Sequence, residues 1–410
     1  MQRRRGTAAG LDPSVPALIF KIGRYPLHHG GVGAIRSLGR LGVPVYAVTE
    51  DRFTPAAVSR YLTGRFVWPT TGAESPEELV EGLLARGRRL GRRTVLVPTD
   101  DEAAVLVAEH AEALSGQFLL PGVPADLPRR LADKAALFQL CQATGVPAPA
   151  SALPASVEEL LARAAEMSYP VVLKNAAPWT RLQRPAVGNT TIVDDEAHLR
   201  AIAGGWPVMP AVLVQAYLPA EGAEDWMTAL YCDRTSACVV LGTGIKTRSW
   251  PPHAGVTTRA FTAPNPQLAS MAADLCRDIG FRGIADLDWR FDQADGQYKL
   301  LDFNPRIGAQ FRLFQTDVGI DVVRALHLDL TGRAVPRGNQ VDGRGLVVEN
   351  LDLPAALAER RSGSGHGPVA GSRRGTELAW LALDDPLPAV AAAARSAVPA
   401  AAVLRRLLRR

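Results

Sequence analysis

Short, nearly continuous apolar runs mark the early part of the chain at residues 17–22, 43–48 and 94–98, the pattern of strands buried on both faces. Between the first two, Gly30, Gly31 and Gly33 suggest a tight turn, and residues 34–41 suggest a helix. Strand, turn, helix and strand make a βαβ unit, so residues 17–125 read as a Rossmann-like parallel sheet. The glycines do not give the Gly-x-Gly-x-x-Gly spacing of a dinucleotide site. Thr99-Asp100-Asp101-Glu102, after the third run, has two readings: an edge where open α/β sheets bind ligands, or a helix start capped by Thr99 or Asp100.

From about residue 126 the pattern changes. A helix runs from Asp133-Lys134 toward Gly145, a second covers residues 156–166, and Tyr169-Pro170-Val171-Val172-Leu173-Lys174 is a strand that ends on a lysine. Residues 212–218, 227–232 and 237–241 read as further strands of an antiparallel sheet, and residues 268–279 as a helix. Two alternating runs at 283–291 and 298–306 are joined by a turn whose Asp295-Gly296 pair suits a hairpin. A segment at 308–314 and a helix at 321–330 complete this part. The fold class is therefore α/β. Residues 1–16 are expected to be a disordered basic segment, 17–125 the Rossmann-like unit, 126–332 a second unit with a smaller subdomain at about 145–218, and 333–410 a C-terminal extension. Within the extension, residues 361–368 have linker composition and residues 401–410 the charge of a basic terminal helix.

Composition acts mainly by exclusion. With 47% hydrophobic and 21% charged residues over 410 positions, the chain is globular and long enough for two or three cores. Much of its +5 net charge sits in Arg3-Arg4-Arg5 and in Arg405, Arg406, Arg409 and Arg410. Basic residues are not interleaved with aromatics, so no nucleic-acid partner is expected. Cys141, Cys232, Cys238 and Cys276 lack Cys-x-x-Cys or Cys/His spacing, which argues against disulfides and zinc and for a reducing cytoplasm. The apolar run 17–20 is too short for a signal core, and Arg395 and Pro399 break the alanine-rich stretch 389–403, so no membrane span is expected.

Candidate chemistry concentrates in the hairpin. Strand alternation places Asp288 and Asp302 on one face of neighbouring strands, with Asn304 two residues further on. Three hard oxygen ligands suit Mg²⁺, with Mn²⁺ as a substitute, when phosphate and water fill the rest of the shell. Arg306 follows with a planar fork matched to phosphate or acyl phosphate. A solvated hairpin would explain any one of these acids. The order Asp288, Asp302, Asn304, Pro305, Arg306 argues against that account.

This order resembles the metal-binding hairpin of the ATP-grasp superfamily, where a carboxylate on one strand precedes a Glu-x-Asn-Pro-Arg-like segment on the next. Within it, Leu301-Asp302-Phe303-Asn304-Pro305-Arg306 is similar to the corresponding segment of the D-aspartate ligase group and related carboxylate–amine ligases. The resemblance covers residues 17–332 and implies two α+β subdomains clasping ATP behind the Rossmann-like unit. It implies that Lys134 and Lys174 grip the α- and β-phosphates and that Gln215, with the backbone of Ala216, Tyr217 and Leu218, faces adenine. Glu221, Glu224 or Asp225 would hold ribose, and Lys246 and Arg259 would meet the γ-phosphate or the carboxylate being activated. Residues 175–189, with Arg181, Arg184 and a single glycine, Gly188, stand where the family has a phosphate-covering loop. Two departures stand out: Asp302 replaces the usual Glu, and Gln215 stands where an acid is common.

The implied reaction is ATP-dependent ligation of a small-molecule carboxylate to an amine through an acyl phosphate, with release of ADP and phosphate. ATP and Mg²⁺ are the implied cofactors, and a homodimer is left open. Two other readings stand beside it at this point: an ATP-grasp carboxylase or kinase-like enzyme, and a nucleotide-binding regulatory protein without turnover.

Overall fold

The computed structural model describes residues 10–177, 179, 185–188, 190–219, 223–251, 255–362 and 375–396. The strands β1 (Ala17–Phe20), β2 (Val45–Thr49), β3 (Gly64–Val67), β4 (Thr94–Pro98) and β5 (Phe118–Leu119) form a parallel sheet in the order β3-β2-β1-β4-β5. Helices cover both of its faces, which is why β1 reads as a continuous apolar run. Ala17 and Ile19 join the core of Ile35 and Leu38, while Leu18 and Phe20 join that of Leu79 and Leu83.

The glycines expected to form a turn instead open the helix His29–Gly39, whose N-cap His28 accepts from the Gly31 N–H at 3.2 Å. A Cβ at Gly30 would lie 3.0 Å from Ala309 Cα, and one at Gly33 would lie 2.6 Å from Arg312 Nε. Their role is close helix packing on the 308–312 segment, which local sequence does not reveal.

A second, antiparallel sheet holds β6 (Ser151–Ala152), β7 (Val171–Asn175), β8 (Thr191–Val193) and β9 (Val212–Ala216) in the order β6-β9-β7-β8. Val171, Leu173, Val212 and Val214 bury one face with Leu160, Ala164 and Leu199 of the helices Val157–Met167 and Glu196–Ala203. Alternation sends Lys174 and Gln215 to the other face.

The third sheet is the largest. It contains β10 (Glu224–Cys232), β11 (Cys238–Trp250), β12 (Val256–Thr262), β13 (Gly283–Asp292), β14 (Gln297–Asn304), β15 (Gly345–Val347) and β16 (Thr376–Leu378), ordered β14-β13-β10-β11-β12-β15-β16. Trp226, Leu230, Leu287, Trp289 and Phe303 pack with Leu268, Ala272 and Leu275 of the helix Pro266–Asp278. On the opposite face, Met227, Ala229 and Tyr231 join Val322, Val323 and Leu326 in the core shared with the first sheet. Beyond Met227 that second face turns polar.

β15 and β16 carry the region beyond residue 332 into the third sheet. A buried ion pair also ties it back: Arg36 Nε lies 2.9 Å from Asp385 Oδ2, and Arg36 Nη2 donates to the Trp380 carbonyl at 2.7 Å. Although they lack a metal-binding spacing in sequence, Cys232, Cys238 and Cys276 converge in space. Among the described residues, no helix is long and apolar enough to cross a membrane.

His29 makes stability depend on pH. It is buried edge-on to Trp380, with ring centroids 5.8 Å apart, and burial with the nearby Arg312 charge pushes it down to about 3 from an ordinary 6.5. Between those values the unfolded chain binds a proton that the folded chain does not. The contribution of neutral His29 is therefore complete above pH 6.5 and is lost as pH falls toward 3. His29→Gln should shrink the fall in unfolding free energy between pH 8 and pH 5 by roughly 2 kcal/mol, at about 1.4 kcal/mol per pH unit below 6.5. Urea denaturation at the two pH values measures it, and an equal fall in both proteins would refute the assignment.

Candidate functional site

The polar end of the third sheet is built by the β13–β14 hairpin. Leu287, Trp289 and Phe303 are drawn into the helix-covered core, so the intervening Asp286 and Asp288 face the other way. Asp288 pairs directly with Asp302 and Asp286 with Asn304, which puts all four on one face. The register shifts between Asp288 and Trp289, leaving Leu301 without a partner in the ladder. The Leu301 carbonyl accepts from Lys174 Nζ at 3.4 Å.

Three lysines from separate elements meet the two facing carboxylates. Lys134, at the start of the helix Lys134–Thr144, places Nζ 2.5 Å from Asp302 Oδ1. Its position is fixed by Asp133, which caps that helix, and by the Lys134 N–H bonding to the Ala176 carbonyl at 3.0 Å. Lys174 Nζ, on β7, lies 3.5 Å from Asp302 Oδ2, and Lys246 Nζ, on β11, lies 2.5 Å from Asp288 Oδ1. The second and third sheets thus close on one cluster of charge.

Electrostatics follow from that closure. Burial alone would raise the Asp302 pKa, yet Lys134 and Lys174 hold it well below the usual carboxylate range. Burial lowers Lys174, with Asp302 pulling in the opposite direction, whereas on Lys246 burial is overcome by Asp288 together with Asp225 and Asp286, and the pKa is raised. Asp286 behaves differently. Burial and the neighbouring Asp288 charge push it up to about 7, and its Oδ1 has no hydrogen-bond partner among the described residues.

Asn304 and Arg306 form a pair. Arg306 Nη2 donates to Asn304 Oδ1 at 2.8 Å, while Arg306 Nε lies 3.0 Å from Asp101 Oδ1 in the first domain. The Asp100–Asp101 corner is a helix start, as one of its two readings had it. Asp100 caps the helix Asp101–Glu109 and also accepts from the Ile22 and Gly23 N–H groups at 2.9 and 2.7 Å, while Asp101 reaches the site.

Beside the lysines lies a mostly apolar slot lined by Leu137, Phe138, Ala148 and Leu300, with Lys134, Lys174 and Gln215 on its walls. Gln215 Nε2 donates to Ser151 Oγ at 3.0 Å. Ala216 gives its N–H to the Ala150 carbonyl at 2.8 Å, Tyr217 follows, and the Leu218 carbonyl accepts from Arg290 Nη1 at 2.9 Å. Of the three candidate ribose acids, Glu221 lies outside the described residues, as do Arg181 and Arg184. Glu224 accepts from Trp226 Nε1 at 2.9 Å, and Asp225 is held by both arms of Arg290 at 2.7 and 2.9 Å.

Arg259 is not brought to the cluster by any contact seen here. Its Nη2 binds Asp352 Oδ2 at 2.7 Å on the helix Glu349–Ser362, where Arg248 also pairs with Asp352 and Glu359. Those cations anchor the C-terminal region. Asp286 is the site residue that sequence reading left without a role, although its signal was present: it precedes Asp288 by the strand period of two.

Asp286, Asp288, Asp302 and Asn304 offer hard oxygens of the kind a small divalent cation takes, all on one face of the hairpin, but among the described residues the three carboxylates are not drawn together to mutual ligand spacing, and Asn304 is engaged by Arg306. The adjacent cations suit anionic oxygens held beside an apolar slot.

No family model matches the chain. D-aspartate ligase of Enterococcus faecium (strain Aus0004) is 21% identical over 294 residues, covering 68% of each chain. The arginine-specific large chain of carbamoyl phosphate synthase from Geobacillus stearothermophilus is 25% identical over 263 residues, covering 62% of this chain and 24% of that one, so the chain spans about a quarter of that relative. Among solved structures, the biotin carboxylase domain of Hydrogenobacter thermophilus 2-oxoglutarate carboxylase, in complex with MgADP, ADP and bicarbonate, matches with a TM-score of 0.55 at 16% identity. The match covers 78% of this chain and 71% of that one.

Proposed function

We propose, for a chain that belongs to the ATP-grasp superfamily, ATP-dependent ligation of a small-molecule carboxylate to an amine. The observation that carries this reading is the opposition of Asp288 and Asp302 under Lys134, Lys174 and Lys246, beside an apolar slot.

A carboxylate is a poor acyl donor because oxide is a poor leaving group. Its oxygen would attack the γ-phosphorus of ATP, the bond from that phosphorus to the β,γ-bridging oxygen would break, and acyl phosphate and ADP would form. The amine nitrogen would then attack the acyl carbon, phosphate would leave, and the amine proton would pass to solvent. Asp288, Asp302, Asp286 and Asn304 would hold Mg²⁺, which when bound screens phosphate charge and polarises the transferring group.

Lys134 and Lys174, reaching in from different elements, would fix the phosphate chain along the slot. Lys246 sits deeper on the third sheet, where it would meet charge developing on the transferred group. Arg306, beyond Asn304, offers its planar fork to the same oxygens. No protein nucleophile is required.

ADP release, measured with panels of acids and with or without amines, tests the reading. Turnover requiring Mg²⁺, an acid and an amine together is the expected result. Acid-only turnover would replace it with a kinase-like reaction, and ATP binding without turnover under any pairing would replace it with a regulatory role.

A further inference from the structure

Three cysteines carried by three separate elements meet on the face of the third sheet opposite the carboxylates. Cys232 ends β10, Cys238 begins β11, and Cys276 lies in the last turn of the helix Pro266–Asp278. Their sulfurs all lie within 4.8 Å of one another, and the Cys232 and Cys238 sulfurs are 2.9 Å apart. Cys232 and Cys276 are fully buried, whereas Cys238 is only partly so. Cys141, the remaining cysteine, is not in the group.

We propose that Cys232, Cys238 and Cys276 form a trithiolate site for a soft divalent cation of the zinc class, separate from the hard-oxygen site of the hairpin.

Zinc–sulfur bonds of about 2.3 Å in a tetrahedron set neighbouring sulfurs about 3.8 Å apart. The Cys232–Cys238 separation of 2.9 Å and the 4.8 Å limit on all three pairs each lie within about 1 Å of that value, so shifts well under the length of one bond would seat an ion. Each thiol would release its proton to solvent on binding, and the fourth position would be filled by water from the Cys238 side. Thiolates select zinc-class ions over Mg²⁺, which prefers carboxylate oxygen, so the two sites would not compete for one metal.

The site is distinct in place as well as in chemistry. Cys232 pairs with Gly283, while Asp288 pairs with Met227 five residues along and on the other face, roughly 16 Å away at 3.3 Å per residue. Asp233, the nearest acid in sequence, is occupied by the turn, accepting from the Thr235 N–H at 2.8 Å and Oγ1 at 2.6 Å. An ion here would staple the β10–β11 hairpin to the helix that leads into β13.

The test uses the full chain reduced with a phosphine, with Cd²⁺ as the probe. One equivalent should produce a sulfur-to-metal charge-transfer band in the near ultraviolet. The band should persist in Asp302→Asn and weaken at least about tenfold in affinity in Cys276→Ser, since an open two-thiol site loses the third bond. In the unaltered protein, bound Cd²⁺ should slow alkylation of Cys232, Cys238 and Cys276 but not of buried Cys141, followed by mass over time with and without metal, a readout independent of how the variant folds. Absence of the band, undiminished Cd²⁺ affinity in Cys276→Ser, or alkylation of Cys232, Cys238 or Cys276 at the metal-free rate would each overturn the proposal.

Discussion

Asp302→Asn is expected to reduce Mg²⁺-dependent ADP formation by at least about 10³-fold while leaving the chain folded. Losing one preorganised charged partner of a transition state costs about 10²–10³, and Asp302 serves two purposes at once. It supplies a carboxylate opposite Asp288, and it is the group that draws Lys134 and Lys174 to one point, at 2.5 and 3.5 Å. An amide keeps the shape and the packing of β14, so the loss would be one of charge. Without that carboxylate, burial would depress Lys174 further, since Asp302 is the first group opposing it. Nucleotide affinity in the variant should therefore weaken as pH rises, more steeply than in the unaltered protein. Asp302→Glu is the control: one more methylene with the charge kept should retain measurable turnover. ADP formation and nucleotide binding, measured separately, decide the matter; unchanged turnover in Asp302→Asn would remove Asp302 from the site.

The hairpin was legible because a period of two is a strict rule. Once Leu287, Trp289 and Phe303 are assigned to a core, Asp288 and Asp302 have one remaining face, but the register set by the turn would pair Asp288 with Leu301, and only the extra residue at Leu301, which alternation does not predict, brings the two acids opposite one another. The lysines were legible through resemblance, each placed by the element that carries it. Arg259 was not, because its partner Asp352 lies 93 positions away in a region of weak periodicity. Gly33 misled for a related reason: its lack of a side chain answers to Arg312, a distant residue, and not to a local turn. The cysteines lack any local spacing because three elements assemble them. Patterning reports what a residue's own element requires, and it is silent where a distant element sets the requirement.

Arg306 links two distant elements at the cluster. Its Nε faces Asp101 at 3.0 Å across the first domain, and its Nη2 holds Asn304 at 2.8 Å on the hairpin. Arg306→Met is expected to lower turnover by about 10²–10³-fold, the range for removing one charge-stabilising donor. ADP affinity should change by less than about threefold, since the slot formed by Leu137, Phe138, Lys174 and Gln215 does not include Arg306. Arg306→Lys should not restore the rate, because an ammonium is a point charge without the planar fork that spans both acceptors.

The pH profile separates this from a merely structural role. Burial and Asp288 raise Asp286 to about 7, and the Arg306 charge is the first influence that opposes them. Taking Arg306 away leaves the raising influences unopposed at that position, so ionisation of Asp286 moves to higher pH. If ionised Asp286 supports turnover, the acidic limb of the rate profile in Arg306→Met must move upward. A uniformly lower profile with an unshifted limb would show that Arg306 acts on the substrate alone and that Asp286 has no part in the rate.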